Sequence, residues 1–175
     1  HLRSRSRARA AAEQAADAIG ADSLLTRAGA IFHDAGKSQN PLFFIENQLN
    51  TNVDAHDTAD PTESAKTIIQ HVYDGVALGR KYKLPSRVID FVKEHHGTMI
   101  TRYQYGQALK LADNDASKVN IEDFRYPGPP PQSKETALLM MADGLEARAR
   151  SEVPKSEEEI KVLAKKVGEF CRQEG

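Results

Sequence analysis

Apolar residues recur at three- and four-residue spacing along most of the chain, with polar residues between them. Ile68, Ile69, Val72, Val76 and Leu78 follow this spacing behind Asp60-Pro61-Thr62-Glu63. That tetrapeptide reads as an N-cap, a proline at the first helical position and a capping-box glutamate. The pattern predicts a helix from there to Tyr82. Pro85 starts another, carrying Val88, Ile89 and Val92, and Gly97 ends it just after His95-His96. Asp22 or Ser23 caps a third segment with Leu24, Leu25, Ala28, Ile31 and Phe32 as its apolar positions. Further helices are predicted over 133–151, around Leu138, Leu139, Met141 and Leu145, and from Ser156, around Ile160, Leu163, Val167 and Phe170. The pattern is weaker but helical between 98 and 112. Residues 3–18 hold no large aliphatic side chain, so a first helix there has little to bury and is expected to dock weakly.

No segment alternates as a strand does, and no internal repeat is visible. Two stretches lack helical period: 37–60, rich in Asn, Asp and Gln, and 113–132, which ends in Phe-Arg-Tyr-Pro-Gly-Pro-Pro-Pro. Loops longer than about 12–15 residues in a compact domain are usually functional or disordered, and both are read here as walls of a site. The predicted fold is all-α, a helical bundle with two long functional loops, in one domain over residues 1–175.

Composition narrows the class. The chain has 175 residues, enough for one domain with a core of its own. Cys171 is its one cysteine, so no intramolecular disulfide forms and a reducing compartment fits. The longest apolar run, Ala137 to Ala142, falls far short of the roughly 20 residues of a membrane span. Residues 1–19 show no secretory leader. With 24 basic and 25 acidic residues, no global attraction to nucleic acid or anionic lipid is expected.

Six histidines, at 1, 33, 56, 71, 95 and 96, carry the chemical interest. His33-Asp34 closes one predicted helix, His71 lies inside another among Ile69, Val72 and Val76, and His95-His96 closes a third. Asp143 follows Leu139 by one helical turn and shares its face. Singly, each fits a bland role: a hydrogen-bonded core histidine, a cationic C-cap, or an Asp143 pairing with Arg148 or Lys134. Together they are harder to dismiss, because burying imidazoles and carboxylates is costly unless each is paired or bound to metal. A His/Asp donor set without thiolate suits Mn²⁺, Fe²⁺, Co²⁺ or Zn²⁺ rather than a structural cysteine site. Four histidines and two aspartates exceed what one four-coordinate ion requires, which points to a dinuclear hydrolytic site.

This constellation resembles the HD-domain metal-dependent phosphohydrolases, with Phe32-His33-Asp34-Ala35-Gly36-Lys37 matching their defining motif. Further strings narrow the likeness: 40–48 (Asn-Pro-Leu-Phe-Phe-Ile-Glu-Asn-Gln), His56-Asp57, Ile68-Ile69-Gln70-His71-Val72, Glu94-His95-His96-Gly97-Thr98, Phe124-Arg125-Tyr126-Pro127-Gly128-Pro129 and Met141-Ala142-Asp143-Gly144. They are similar to the PgpH-type branch, the cytoplasmic HD domains of bacterial receptors with seven transmembrane helices that act as cyclic di-AMP phosphodiesterases. The resemblance spans about residues 12–171. It implies metal ligands at His33, Asp34, His71, His95, His96 and Asp143, with Asp34 as bridge. The first histidine of the family pattern falls near position 4, where Ser4 stands. His1, one turn earlier, substitutes only if the helix shifts by about 4.5 Å.

The implied reaction is hydrolysis of cyclic di-AMP to linear pApA, by water activated between two divalent ions, with Mn or Fe as the expected metals. Asp34 and Lys37 are the candidate catalytic residues, and Lys37 and Arg125 the candidate substrate contacts. Lys37 also fits a helix-dipole role, and Arg125 also fits a pin that holds its loop. Tyr126, Phe43 and Phe44 are candidates to stack a base or to anchor loops. His56 is read as ordering the 49–60 loop. Cys171, on the last helix, stands far along the chain from all of these. The implied partners are a cyclic dinucleotide and no DNA or RNA polymer, with the domain on the cytoplasmic side of a membrane-anchored parent. Two other readings remain at this level: an HD phosphohydrolase of another nucleotide, and a cyclic-dinucleotide sensor impaired in turnover.

Overall fold

The structure, a computed structural model, describes residues 2–41, 44 and 60–175, with side chains from residue 9 onward. The described residues form seven α-helices: α1 (Leu2–Ala18), α2 (Ser23–Phe32), α3 (Pro61–Lys81), α4 (Ser86–Glu94), α5 (Arg102–Leu111), α6 (Lys134–Glu152) and α7 (Glu157–Glu174). Among them the only extended pairing is an isolated antiparallel bridge between Ile100 and Arg125.

The caps behave as their residue types dictate. Asp22 accepts from the Leu25 amide, Asp60 from Thr62 and Glu63, Ser133 from Thr136, and Ser156 from Glu159. Gly97 takes φ +52 directly after the paired histidines, a conformation that favours glycine. The 113–132 segment is not structureless. It holds two 3-10 turns, Ala116–Lys118 and Ile121–Phe124. It then runs beside residues 99–101, with Thr101 N donating to Phe124 O (2.8 Å) and Tyr126 N to Met99 O (2.9 Å).

Which faces turn inward departs from the apolar pattern in two helices. In α2 the buried residues are Thr26, Gly29 and Ala30, whereas Leu24 and Ile31 are exposed. The cause is the approach of α4: a Cβ on Gly29 would lie 2.2 Å from the Phe91 ring. Only small residues fit there, and His33 continues that same face inward. In α6 the buried residues are Thr136, Leu139 and Met140, with Met141 exposed. Asp143 follows Thr136 by two turns on this face. In α7 the buried stripe is narrower than expected, with Leu163 and Val167 inside and Ile160 exposed.

Helix α1 does dock, against α2 and α6, through the fully buried Ala12 and Ala16. Its small side chains allow the approach but contribute only about 0.8 kcal/mol per buried methyl. Helix α7 folds back along α6, so Val167 and Cys171 lie over Gly144. Cys171, distant along the chain, is therefore brought close to Asp143 in space. Burial, and then the Asp143 charge, push its thiol pKa up, which leaves it a poor nucleophile.

Candidate metal centre

His33, at the C-cap of α2, and the adjacent Asp34 lead into a 3-10 turn, Ala35–Gln39, that lies on the backbone of α3. His71 comes from the middle of α3, His95 caps α4 and His96 follows it. All of these are buried or nearly so. Three of the imidazoles are oriented the same way. Nδ1 of His33 donates to Ala30 O (3.1 Å), Nδ1 of His71 to Ile68 O, and Nδ1 of His95 to Val92 O (3.0 Å) and Phe91 O (3.2 Å). A carbonyl can only accept, so the proton sits on Nδ1 and each Nε2 presents a lone pair to the interior. This is the arrangement that fixes an imidazole as a metal ligand.

Those Nε2 atoms converge on Asp34. Its Oδ1 lies 3.7 Å from both His71 Nε2 and His95 Nε2, and its Oδ2 lies 3.4 Å from His33 Nε2. His33 Nε2 is in turn 3.7 Å from Asp143 Oδ1. The carboxylate of Asp34 thus divides its oxygens between two groups: His33 with Asp143, and His71 with His95. Ligand atoms of His71, His95 and His96 all lie within 4.8 Å of one another.

Two observations show that these residues fit divalent cations. His71 Nε2 and His95 Nε2 face each other at 3.3 Å, and with both protons committed to Nδ1 no hydrogen bond joins them. Meanwhile His33 Nε2 and Asp34 Oδ1 are buried with no hydrogen-bond partner among the described residues. Converging lone pairs, left unsatisfied in a buried site, are costly until a cation joins them.

The electrostatics agree. Burial, aided by the neighbouring imidazoles, holds His95 down to about 3 and pushes His96 well below the usual range; burial likewise lowers His71. Burial opposes charge on His33 as well, but Asp34 and Asp143 outweigh it and raise its pKa. For Asp34 burial acts upward, yet His33 and Lys37 hold the carboxyl well below the usual range. Asp143 is lowered too, since His33 overcomes the effect of burial. The site therefore offers ionised carboxylates and mostly neutral imidazoles, the protonation states that metal ligation requires.

A cavity of about 360 Å³ opens on this centre, lined by His33, Asp34, His71, His96, Asp143 and Lys37, among others. Lys37 places Nζ 2.8 Å from Asp34 Oδ2 and 5.2 Å from the Phe44 ring centre. Tyr126 stacks on His96 with centroids 4.2 Å apart, and Phe44 meets His71 edge-on at 5.7 Å. Both aromatics thus buttress the imidazoles.

Arg125 is brought elsewhere. Its guanidinium pairs with Glu122 (2.8 Å) and donates to Thr98 O (2.8 Å), which ties its loop to the turn after His96. It does not line the cavity around Asp34. Arg9 of α1 and Arg150 of α6 do line it, and nothing in their sequence surroundings marked them. His1, Phe43 and His56 lie outside the described residues, as does the side chain of Ser4.

Pattern reasoning also missed Glu94. Its buried carboxylate accepts from Thr136 Oγ1 (2.7 Å) and Gln132 N (2.8 Å), joining the end of α4 to the start of α6. Its place beside His95-His96 was the available signal.

Comparison with known proteins gives a consistent picture. Residues 7–148 match the family model described as HD domain. The cyclic-di-AMP phosphodiesterase PgpH of Bacillus subtilis is 40% identical over 163 residues, covering 93% of this chain and 22% of that protein. PgpH of Listeria monocytogenes is 40% identical over 140 residues, covering 80% of this chain and 19% of that protein. The crystal structure of the L. monocytogenes PgpH HD domain in complex with cyclic-di-AMP matches at TM-score 0.88 and 34% identity, over 98% of this chain and 79% of that one. The chain spans about a fifth of the length of these curated relatives.

Proposed function

Since the chain belongs to the HD domain family, we propose that it is a metal-dependent phosphodiesterase domain that hydrolyses cyclic di-AMP to linear pApA. The observation that carries this reading is the convergence of the Nε2 atoms of His33, His71 and His95 on the Asp34 carboxylate in one cavity. The likeness to a relative crystallised with cyclic-di-AMP supports the substrate class.

In this reading His33, Asp34 and Asp143 would hold one divalent ion and His71, His95 and His96 a second, with Asp34 shared between them. The mixed imidazole and carboxylate donors favour manganese or iron. When bound, two such ions lower the pKa of water and neutralise charge on phosphoryl oxygens. The chain itself supplies position. The Nδ1–H bonds to helix carbonyls lock three imidazoles, and Lys37 holds the Asp34 carboxylate in orientation while offering Nζ protons to a phosphate oxygen. The ester bond to a ribose 3′-oxygen breaks as the water oxygen bonds to phosphorus, one water proton ending on the departing 3′-oxygen as a hydroxyl and the other on the new phosphate monoester or solvent, which opens the ring. Arg125 serves as a loop tether. We read the domain as the cytoplasmic part of a membrane-anchored protein whose anchor lies outside this chain.

The test is incubation with cyclic di-AMP and Mn²⁺, with products separated by chromatography. Linear pApA, lost on adding EDTA and in Asp34→Asn, is the expected result. Metal-loaded protein that binds the dinucleotide without releasing pApA would refute the reading.

A further inference from the structure

Of the four imidazoles around Asp34, His96 is held least directly. His33, His71 and His95 each lock their rings by donating Nδ1–H to a carbonyl of their own helix. His96 stands one residue beyond the C-cap of α4, and its ring makes no such bond among the described residues. It rests against the rings of His95 and Tyr126, at centroid distances of 4.0 and 4.2 Å. Ring contacts set a plane but not a place within it, so the backbone that carries His96 must fix its nitrogens.

That backbone is a turn over residues 96–99, closed by Met99 N donating to His96 O (3.2 Å). On one side Tyr126 N donates to Met99 O (2.9 Å) and Arg125 Nη1 to Thr98 O (2.8 Å). On the other side stands the C-terminal end of α7. The last carbonyls of a helix lack donors of their own, and Thr98 supplies them. Its amide donates to Gly175 O (3.4 Å), and its hydroxyl lies 3.3 Å from both Glu174 O and Gly175 O. The approach is close: a Cβ on Gly97 would lie 2.6 Å from Gly175 O. Arg102 adds a cation at the negative end of the same helix, 4.5 Å from the Phe170 ring centre and 3.7 Å from Glu174. Leu163 and Val167 bury α7 against α6, which makes its end a fixed post.

We propose that the last turn of α7 positions His96, and that Thr98 is the residue through which it acts. The proposal rests on the reading of His71, His95 and His96 as ligands of one ion. Thr98 does not line the cavity over Asp34, so it is a positioning residue. Ligand placement and helix docking share one turn, so a cation on His96 and the docking of α7 favour each other by the same factor. Outer partners of a metal ligand are worth about 10- to 100-fold in affinity.

Two experiments test this. The first titrates metal-free wild type, Thr98→Val and Thr98→Ser with Mn²⁺, following free Mn²⁺ and the spin-coupled signal of paired ions by electron paramagnetic resonance. Valine keeps the shape of the side chain and removes the donor; serine keeps the donor. Wild type is expected to take up an ion pair. Thr98→Val is expected to weaken one ion about 10- to 100-fold and to lose the coupled signal at intermediate Mn²⁺, with the other ion unaffected, and Thr98→Ser to restore both. Wild-type affinities in Thr98→Val, equal weakening of both ions, or a serine variant as weak as the valine one overturns the proposal and leaves the phosphodiesterase reading in place. Wild type that binds no ion pair overturns the metal centre of that reading, and the proposal with it.

The second experiment needs no substitution. Metal-free and Mn²⁺-loaded wild type are compared by hydrogen exchange and mass spectrometry. Helix ends exchange by local fraying rather than by global unfolding, so exchange at the end of α7 reports its contact with the turn after His96. Peptides within 169–175 are expected to exchange more slowly when metal is bound. Unchanged exchange there in the loaded protein overturns the proposal.

Discussion

Gly36 lies directly on the backbone of α3 at His71: a Cβ at position 36 would stand 1.8 Å from the His71 carbonyl oxygen and 2.6 Å from Gly75 N. The turn that follows His33-Asp34 is therefore pressed against the helix that carries His71. This contact sets the 3.7 Å separation of Asp34 Oδ1 from His71 Nε2. The overlap is with backbone, so no side chain can swing aside. Gly36→Ala is expected to destabilise the fold by about 3 kcal/mol and to lower bound metal per chain. Urea unfolding and elemental analysis check both; an unchanged midpoint would contradict the contact.

Asp34→Asn keeps the shape of the side chain but removes the charge shared by both ligand groups. Metal content should fall and, on the proposed reading, phosphodiesterase activity should drop on the order of 100-fold or more. Mass spectrometry of bound metal and initial rates test this, and full occupancy in the variant would argue against Asp34 as the bridge.

The metal-free protein should lose stability as pH falls below about 6.5, the pKa of an unfolded histidine. His95 is lowered to about 3 by burial, and His71 and His96 shift in the same direction. The unfolded chain then binds more protons than the native one in this range. His33 is raised, so it acts oppositely: its contribution is present at low pH and is lost as pH rises through its folded value. The contributions of the lowered carboxyls of Asp34 and Asp143 persist until pH falls below about 4. Three imidazoles outweigh one. The urea midpoint in EDTA is expected to decline steadily from pH 7 to 4.5; a rise over that window would contradict the burial of neutral histidines.

Thr136→Val removes the hydroxyl that Glu94 holds at 2.7 Å and leaves a buried carboxylate with one donor fewer. The expected cost is about 1–3 kcal/mol of stability. Because the pair spans α4 and α6, metal affinity should weaken as well, and titration with Mn²⁺ measures that.

If the proposed reaction holds, Arg125→Ala should alter turnover of cyclic di-AMP little, because the guanidinium is engaged with Glu122 and Thr98 O away from Asp34. Lys37→Ala, by contrast, should lower kcat, since Nζ lies in the cavity against Asp34. Steady-state kinetics on the two variants separates a loop tether from a phosphate contact.

Much of the helical frame was legible beforehand, because its signals are local. Asp60-Pro61 and Ser156 announce their helices through bonds to amides a few residues away. The ligand residue types were legible for a similar reason, since only certain side chains bind divalent ions. Inward faces were less so. Leu24 and Ile31 look like core positions, yet the close approach of Phe91 to Gly29 selects the opposite side of α2.

By itself, then, the sequence determined where the helices start and stop and which imidazoles and carboxylates were available for chemistry. The tertiary structure alone decided that His33, His71 and His95 turn Nε2 inward, that Arg125 is spent on its own loop, and that Glu94 joins α4 to α6 through Thr136 and Gln132. The physical reason is range. Capping and helical periodicity act over one turn of chain, whereas burial, desolvation and the loss of a hydrogen-bond partner are imposed by segments far away in sequence.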